Sequence, residues 1–427
     1  MSDDALERST LSKVAWRLLP LIMLGYLVSY MDRVNISFAA PQMNAQLGFT
    51  ASIYGFGGGL FFISYALLEI PSNLALARVG ARRWLARIMI TWGLVAMSMA
   101  LVRTPLQFYA VRFLLGAAEA GFFPGVIYYL GLWFPRSHRG RAISRFYIAA
   151  PLASVVMGAV AGNLLGLDGR LSLHGWQWLL IAEGAPAVVL AFVFLRWLPD
   201  RPANAAWLSP EQKAWLEARL EADNAALGAP KHSQIRALFR PQVLAITAVN
   251  FLYLGPYYAF ALSAPAVLKA ATGLDAAHVG YLIAAGGLVG AAGMAFIGWS
   301  SDRRGERYLH LAIPLVAAAT GFAVIAWSPG PVAVMAAYLA LMASYFAVSG
   351  AFWLAPGEIV HPAAVAVTVA AINGAGQVGS FLFPWLWGLA KDATGSYQAG
   401  LRVLPLTFLA GAAIVMVLRQ IRRGGSA

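Results

Sequence analysis

Asp32, Arg33, Arg112 and Glu119 are four ionisable residues set in two otherwise apolar stretches of the chain. A charge at the centre of a bilayer costs about 2.5–3.5 kcal/mol on insertion scales. Two of each sign in oily helices are therefore expected to pair around a wet cavity, where a membrane protein handles ions or charged solutes. Asp32 and Arg33 are neighbours, so on a helix they project about 100° apart and meet different partners. Arg112 and Glu119 fall about two turns apart on one helix face, roughly 10 Å from each other. Facing helices can then make two opposite-sign contacts, such as Asp32 with Arg112 and Arg33 with Glu119.

Such a set can couple two binding events. Arginine stays charged and grips a carboxylate with a two-pronged fork. A substrate anion that competes for it leaves the neighbouring carboxylate readier to take up a proton. Proton and anion binding are then linked, and the linkage is reciprocal. A static quartet that only locks two helices is the plainer alternative, but desolvating four charges for structure alone is expensive.

The elements that must hold these residues are membrane helices. Of 427 residues 60% are hydrophobic and 11% charged, against roughly 25% charged in a soluble domain. Apolar stretches long enough to cross a bilayer recur near 14–40, 52–77, 84–102, 106–134, 142–166, 176–198, 242–270, 277–300, 309–328, 331–356, 363–390 and 397–419. The predicted fold is an all-α integral membrane protein of twelve transmembrane helices in two six-helix, pseudo-symmetric halves. Residues 1–198 form the N-terminal half, 199–241 a central cytoplasmic loop, and 242–427 the C-terminal half. Within the loop, Ser209-Pro210 reads as the start of an amphipathic surface helix.

The net charge of +13 does not form a nucleic-acid patch. With both termini inside, cytoplasmic segments hold 24 of the 31 lysines and arginines, and the opposite side five; Arg33 and Arg112 lie within spans. The positive-inside rule thus puts both termini in the cytoplasm. The start is polar and runs into a long apolar span, so no cleavable signal is read. Cysteine is absent, which excludes disulfides and thiolate metal sites. No HExxH, no Ser-His-Asp order and no cluster of His ligands suggests an enzyme, and no cofactor is expected beyond a proton as coupling ion.

Two short basic loops repeat in corresponding halves, RVGARR (78–83) and RRGERY (303–308), as a six-plus-six duplication requires. Arg78, Arg82, Asp302, Arg303 and Arg307 are candidate latch residues, able to bond helix C-terminal carbonyls and neighbouring helices. In the first copy Ala77 stands where the second has Asp302.

With these residues in view, the chain resembles the anion:cation symporters of the major facilitator superfamily. The likeness is carried by YMDRVNISFA (30–39), RFLLGAAEAGFFPG (112–125), WFPRSHRGRA (133–142), FWLAPGEIV (352–360) and INGAGQVGSFLFPWLWGLAKDATGSY (372–397). EIPSNLALARVGARRWLARIMITWG (69–93) is similar to the phthalate and tartrate permease branch. The resemblance implies proton coupling at Asp32 and Glu119 and a substrate carboxylate on Arg33, with Arg112 as the second cation. It adds Tyr30, Tyr65, Trp353 and Asn373 as polar and aromatic contacts from both halves. It also implies a monomer in the bacterial inner membrane. The chain departs from the family at PGEIVHP, which makes Glu358 and His361 candidates for a gate or a surface pair. It lacks the Gly-Pro glycine motif of drug–proton antiporters in helix 5, where Pro151 follows Ala150, which argues against drug export.

Three further groups have blander readings. Glu69 is expected to pair with a loop arginine, and Glu183 to be structural. Asn250, Tyr253 and Tyr257 recur at helical spacing and either line a cavity or pack. The function expected is import of an aromatic or hydroxy (di)carboxylate by proton symport with alternating access. The partners are then a small organic anion and the lipid bilayer. Sodium coupling or exchange, and a sensor without turnover, are the alternatives.

Overall fold

Several helices begin where a side chain can take an otherwise unpaired first-turn amide. Thr50 accepts from the Ile53 amide, and Asp275 from the His278 amide at 2.9 Å. Thr104 and Gln107 cap each other's amides reciprocally. The computed structural model describes residues 3–225, 238–327, 330–353 and 365–424. In the first half lie α1 (Asp3–Leu47), α2 (Ala51–Val79), α3 (Ala81–Ser98), α4 (Pro105–Glu119), α5 (Phe122–Gly131), α6 (Arg136–Tyr147), α7 (Ala149–Leu165) and α8 (Gly175–Trp197). A surface helix, α9 (Pro210–Ala225), follows. The second half comprises α10 (Pro241–Ala261), α11 (Ala264–Thr272), α12 (Ala276–Arg304), α13 (Tyr308–Trp327), α14 (Pro331–Phe352), α15 (Val365–Thr394) and α16 (Gln398–Gly424).

Among the described residues, eleven helical stretches are long and apolar enough to cross a membrane. The remaining expected span, 363–390, falls on α15, a 30-residue helix packed between α2 and α10. Three spans read as continuous are broken: α4 from α5 at Ala120–Gly121, α6 from α7 at Ile148, and α10 from α11 at Leu262–Ser263. At the first break Gly121 is left-handed, with φ of 88°, a conformation open to glycine at little cost. A side chain there would also run into Ser72 on α2. The chain therefore turns tightly against α2 just after Glu119, which becomes the last residue of α4.

The surface helix starts as expected. The Ser209 hydroxyl accepts from the Gln212 amide, Gln212 returns a bond to the Ser209 amide, and Lys13 of α1 donates to the Gln212 side chain at 3.1 Å.

The halves meet along α2 with α15 and along α7 with α12. In lipid such contacts depend on small residues that let backbones approach; Gly55 rests on the Pro384 carbonyl and Gly158 on Gly280. Take the end where α1 begins and α16 finishes as the terminal end, and the opposite one as the far end. At the far end the Ala51 and Ser52 amides both donate to Asp392 at 2.9 Å, and Tyr54 donates to the Leu262 carbonyl at 2.8 Å. A carboxylate on exposed amides at a helix N-terminus is a favourable cap. These bonds join the halves at the far end.

Candidate functional site

Arg33 leaves α1 on the side facing α4 and closes on Glu119. Its Nε and Nη2 both donate to Glu119 Oε1, at 2.9 and 2.8 Å, and the Ser29 hydroxyl donates to the same oxygen at 2.7 Å. Ser29 and Arg33 are one turn apart, so they share a face. Glu119 is fully buried and Arg33 keeps 9% side-chain exposure. Oε2 of Glu119 has no hydrogen-bond partner among the described residues. The guanidinium lies 4.8 Å from the Tyr65 ring centre and 5.6 Å from that of Phe61, within cation–π range.

The second pairing differs from the sequence expectation. Asp32 accepts from Asn35 at 3.1 Å, and no ion pair joins it to Arg112 among the described residues. Arg112 instead donates to the Gly58 carbonyl at 3.2 Å and lies 5.0 Å from the Phe61 ring centre. The physical reason is a close approach of α2 and α4 through Gly57, where a side chain would run into Phe108, and Gly116, where one would run into the Phe61 carbonyl. Asp32 and Arg112 are both buried, and each still acts electrostatically on the other.

The second half adds hydroxyls. Tyr258 on α10 sits beside Arg33 and packs at a tilt against Phe62, with ring centres 4.4 Å apart. Tyr30, from α1, reaches Tyr257 and Tyr258. Tyr65 is buried against Phe61, and Trp353 packs edge-on against Phe352 beside Tyr147. Thus Tyr65 and Tyr258 flank one cation, Tyr30 joins them through Tyr258, and Trp353 lies with Tyr147. Asn250 lies elsewhere: its amide donates to the Ile372 carbonyl at 2.8 Å and ties α10 to α15.

Asn373 donates to Glu69 Oε2 at 2.9 Å, a bond between the two halves. Glu69 therefore meets Asn373 rather than the loop arginine expected. Asn373→Asp would set two carboxylates against each other there. Transport is expected to fall about tenfold at neutral pH and to recover in mildly acidic medium, where one of the two is protonated. A pH profile of uptake unchanged from wild type would remove this bridge from the transport cycle.

Among the described residues, the second basic loop carries an ion pair within its own half. Asp302 pairs with Arg307 at 2.7 Å, and Arg303 lies over Trp299. Arg78 is exposed, while Asp200, after α8, accepts from the Arg82 amide at 2.9 Å. The carboxylate missing beside the first loop thus arrives from a distant part of the chain. Glu183 is buried on α8, with neither oxygen hydrogen-bonded in the described structure, and it faces Asn35 and Asp32. Glu358 and His361 lie outside the described residues.

Residues 22–384 match the sequence model of the Major Facilitator Superfamily. A protein of Agrobacterium vitis named "Putative tartrate transporter" is 41% identical over 420 residues, 98% of this chain and 96% of the relative. The quinolone resistance transporter of Acinetobacter baumannii is 39% identical over 413 residues, 96% of this chain and 95% of the relative. Among solved structures, the inward open xylose transporter XylE of E. coli superposes with a TM-score of 0.76 at 15% identity, covering 94% of this chain and 96% of that one. That last likeness is one of fold.

Proposed function

The chain belongs to the major facilitator superfamily, and from that premise we propose that it is a proton-coupled symporter importing an organic carboxylate. It is a multi-pass membrane transporter rather than an enzyme. The observation that carries the proposal is the convergence of Arg33 Nε and Nη2 on one oxygen of Glu119, beside tyrosines from both halves.

In the resting site Glu119 is the anion held by Arg33. A substrate carboxylate offers the same fork two oxygens, so it displaces Glu119 from the guanidinium. Glu119 is then a buried carboxylate without its counter-charge, and a proton restores neutrality. Loading one anion and one proton leaves the site's net charge unchanged, and the halves then rock about it. Asp32 and Arg112 form a second carboxylate and cation in the same half, available to a second proton or a second carboxyl group. With the terminal end in the cytoplasm, as the basic loops favour, import runs from the far end inward across the bacterial inner membrane.

The tartrate name of the Agrobacterium vitis relative supports a hydroxy diacid, which the Tyr65 and Tyr258 hydroxyls beside Arg33 suit. The quinolone resistance name supports a second reading. Quinolones are themselves aromatic carboxylic acids, and the same cation and rings would carry one outward. Ala150-Pro151 on α7, where the Gly-Pro motif of drug–proton antiporters is absent, speaks against export. A thermal-shift screen of purified protein with hydroxy diacids, aromatic diacids and quinolones separates the two. The import reading expects stabilisation by a diacid and uptake of it by cells expressing the chain. Stabilisation by quinolones alone, with raised quinolone tolerance, would support export instead.

A further inference from the structure

A groove of about 960 Å³ lies away from the central site, at the terminal end, between α1, α8 and the segment that follows α8. Its wall is hydrocarbon, supplied by Leu21 and Leu24 of α1 and Leu190 and Val193 of α8. Its rim carries Arg17, Arg82 and Arg196. Among the described residues none of these three guanidinium groups has an ion pair, and the buried Nε of Arg82 has no hydrogen-bond partner. Among the described residues Asp200 is the sole acid lining the groove, and its Oδ1 already accepts from the Arg82 amide. The rim is therefore a cationic cluster that its own carboxylate does not neutralise.

The groove also opens toward lipid. Leu24 is 45% exposed, and Trp197 beside the rim is 67% exposed. Indole at a helix end is the usual mark of the headgroup level. Three free cations above an apolar slot match one chemistry: phosphate bonded to acyl chains. A free phosphate would use the rim and leave the slot idle, while a zwitterionic headgroup would bring its own cation to the arginines. Basic pockets between membrane helices are suited to anionic headgroups. We propose that this groove binds an anionic glycerophospholipid, with its phosphodiester on Arg17, Arg82 and Arg196 and an acyl chain along Leu21, Leu24, Leu190 and Val193.

Thermal melting of the purified, delipidated full chain tests this with three probes: phosphatidylglycerol, phosphatidylcholine with the same acyl chains, and inorganic phosphate. Phosphatidylglycerol is expected to raise the melting temperature at lower concentration than phosphatidylcholine, and inorganic phosphate to leave it in place. In the Arg17→Gln/Arg196→Gln double variant the half-effect concentration of phosphatidylglycerol should rise about 25-fold, roughly fivefold for each arginine. Both arginines are exposed, so the lipid-free melting temperature serves as the folding control. Leu24→Trp keeps every arginine but fills the slot, and it too should weaken the phosphatidylglycerol effect. Equal stabilisation by the two lipids, full reproduction by inorganic phosphate, or an unchanged lipid response in both variants would overturn the assignment.

Discussion

Arg33→Lys lowers the apparent affinity for the transported acid by about a hundredfold, a loss of about 2.7 kcal/mol, while the protein remains folded. The charge survives, but the geometry does not. Arg33 places Nε and Nη2 on one Glu119 oxygen while its plane lies near the Tyr65 and Phe61 rings. A lysine ammonium is a compact, strongly hydrated point charge that cannot present a planar fork to a carboxylate or stack as flatly on an aromatic face. Exchange of Glu119 for substrate therefore loses the bidentate arrangement on which it depends. The check is the concentration dependence of uptake by proteoliposomes, together with the size of the substrate-induced thermal shift. An affinity equal to wild type would remove Arg33 from the role of anion clamp.

Glu119→Gln should abolish accumulation driven by a proton gradient and spare substrate counterflow. The amide has the shape of a protonated glutamate, so its side-chain oxygen can still accept from Ser29, as Glu119 Oε1 does at 2.7 Å. It cannot release or take a proton, so the coupled step is lost while exchange of loaded carriers continues. Arg33, at 9% exposure, also loses its counter-ion. Breaking a buried pair by removing one partner costs about 3–5 kcal/mol. The variant should therefore melt lower than wild type without substrate and gain more from substrate, because the acid supplies the missing negative charge. Gradient-driven accumulation at the wild-type level would show that Glu119 carries no coupled proton.

Much of this site could be read from the chain. Adjacent Asp32 and Arg33 had to diverge on a helix, and they do: one meets Asn35 and the other Glu119. Ser29 was within reach too, because it precedes Arg33 by one helical turn. The partner of Arg112 was not, because a backbone carbonyl carries no sequence signal until α2 and α4 are known to pack closely at Gly57 and Gly116. The helix break after Glu119 belongs to the same class, since Gly121's left-handed φ and its close approach to Ser72 depend on how α2 packs there. Glu69 and Asn373 sit in different halves, so only the packing of α2 on α15 brings them together. Asp200 supplies the carboxylate missing from the first basic loop from 118 residues further along the chain. Local periodicity placed the helices and their charged faces; contacts between distant helices set the partners.

The most direct test of proton coupling is paired recording of substrate and proton entry into proteoliposomes containing the wild-type chain. The vesicles hold a pH-sensitive dye, sodium is absent, and a diacid that stabilises the protein is added outside. Proton coupling predicts that acidifying the outside drives the diacid inward and that each addition of substrate acidifies the lumen. Accumulation of the diacid without lumenal acidification, or only under an imposed sodium gradient, would contradict it.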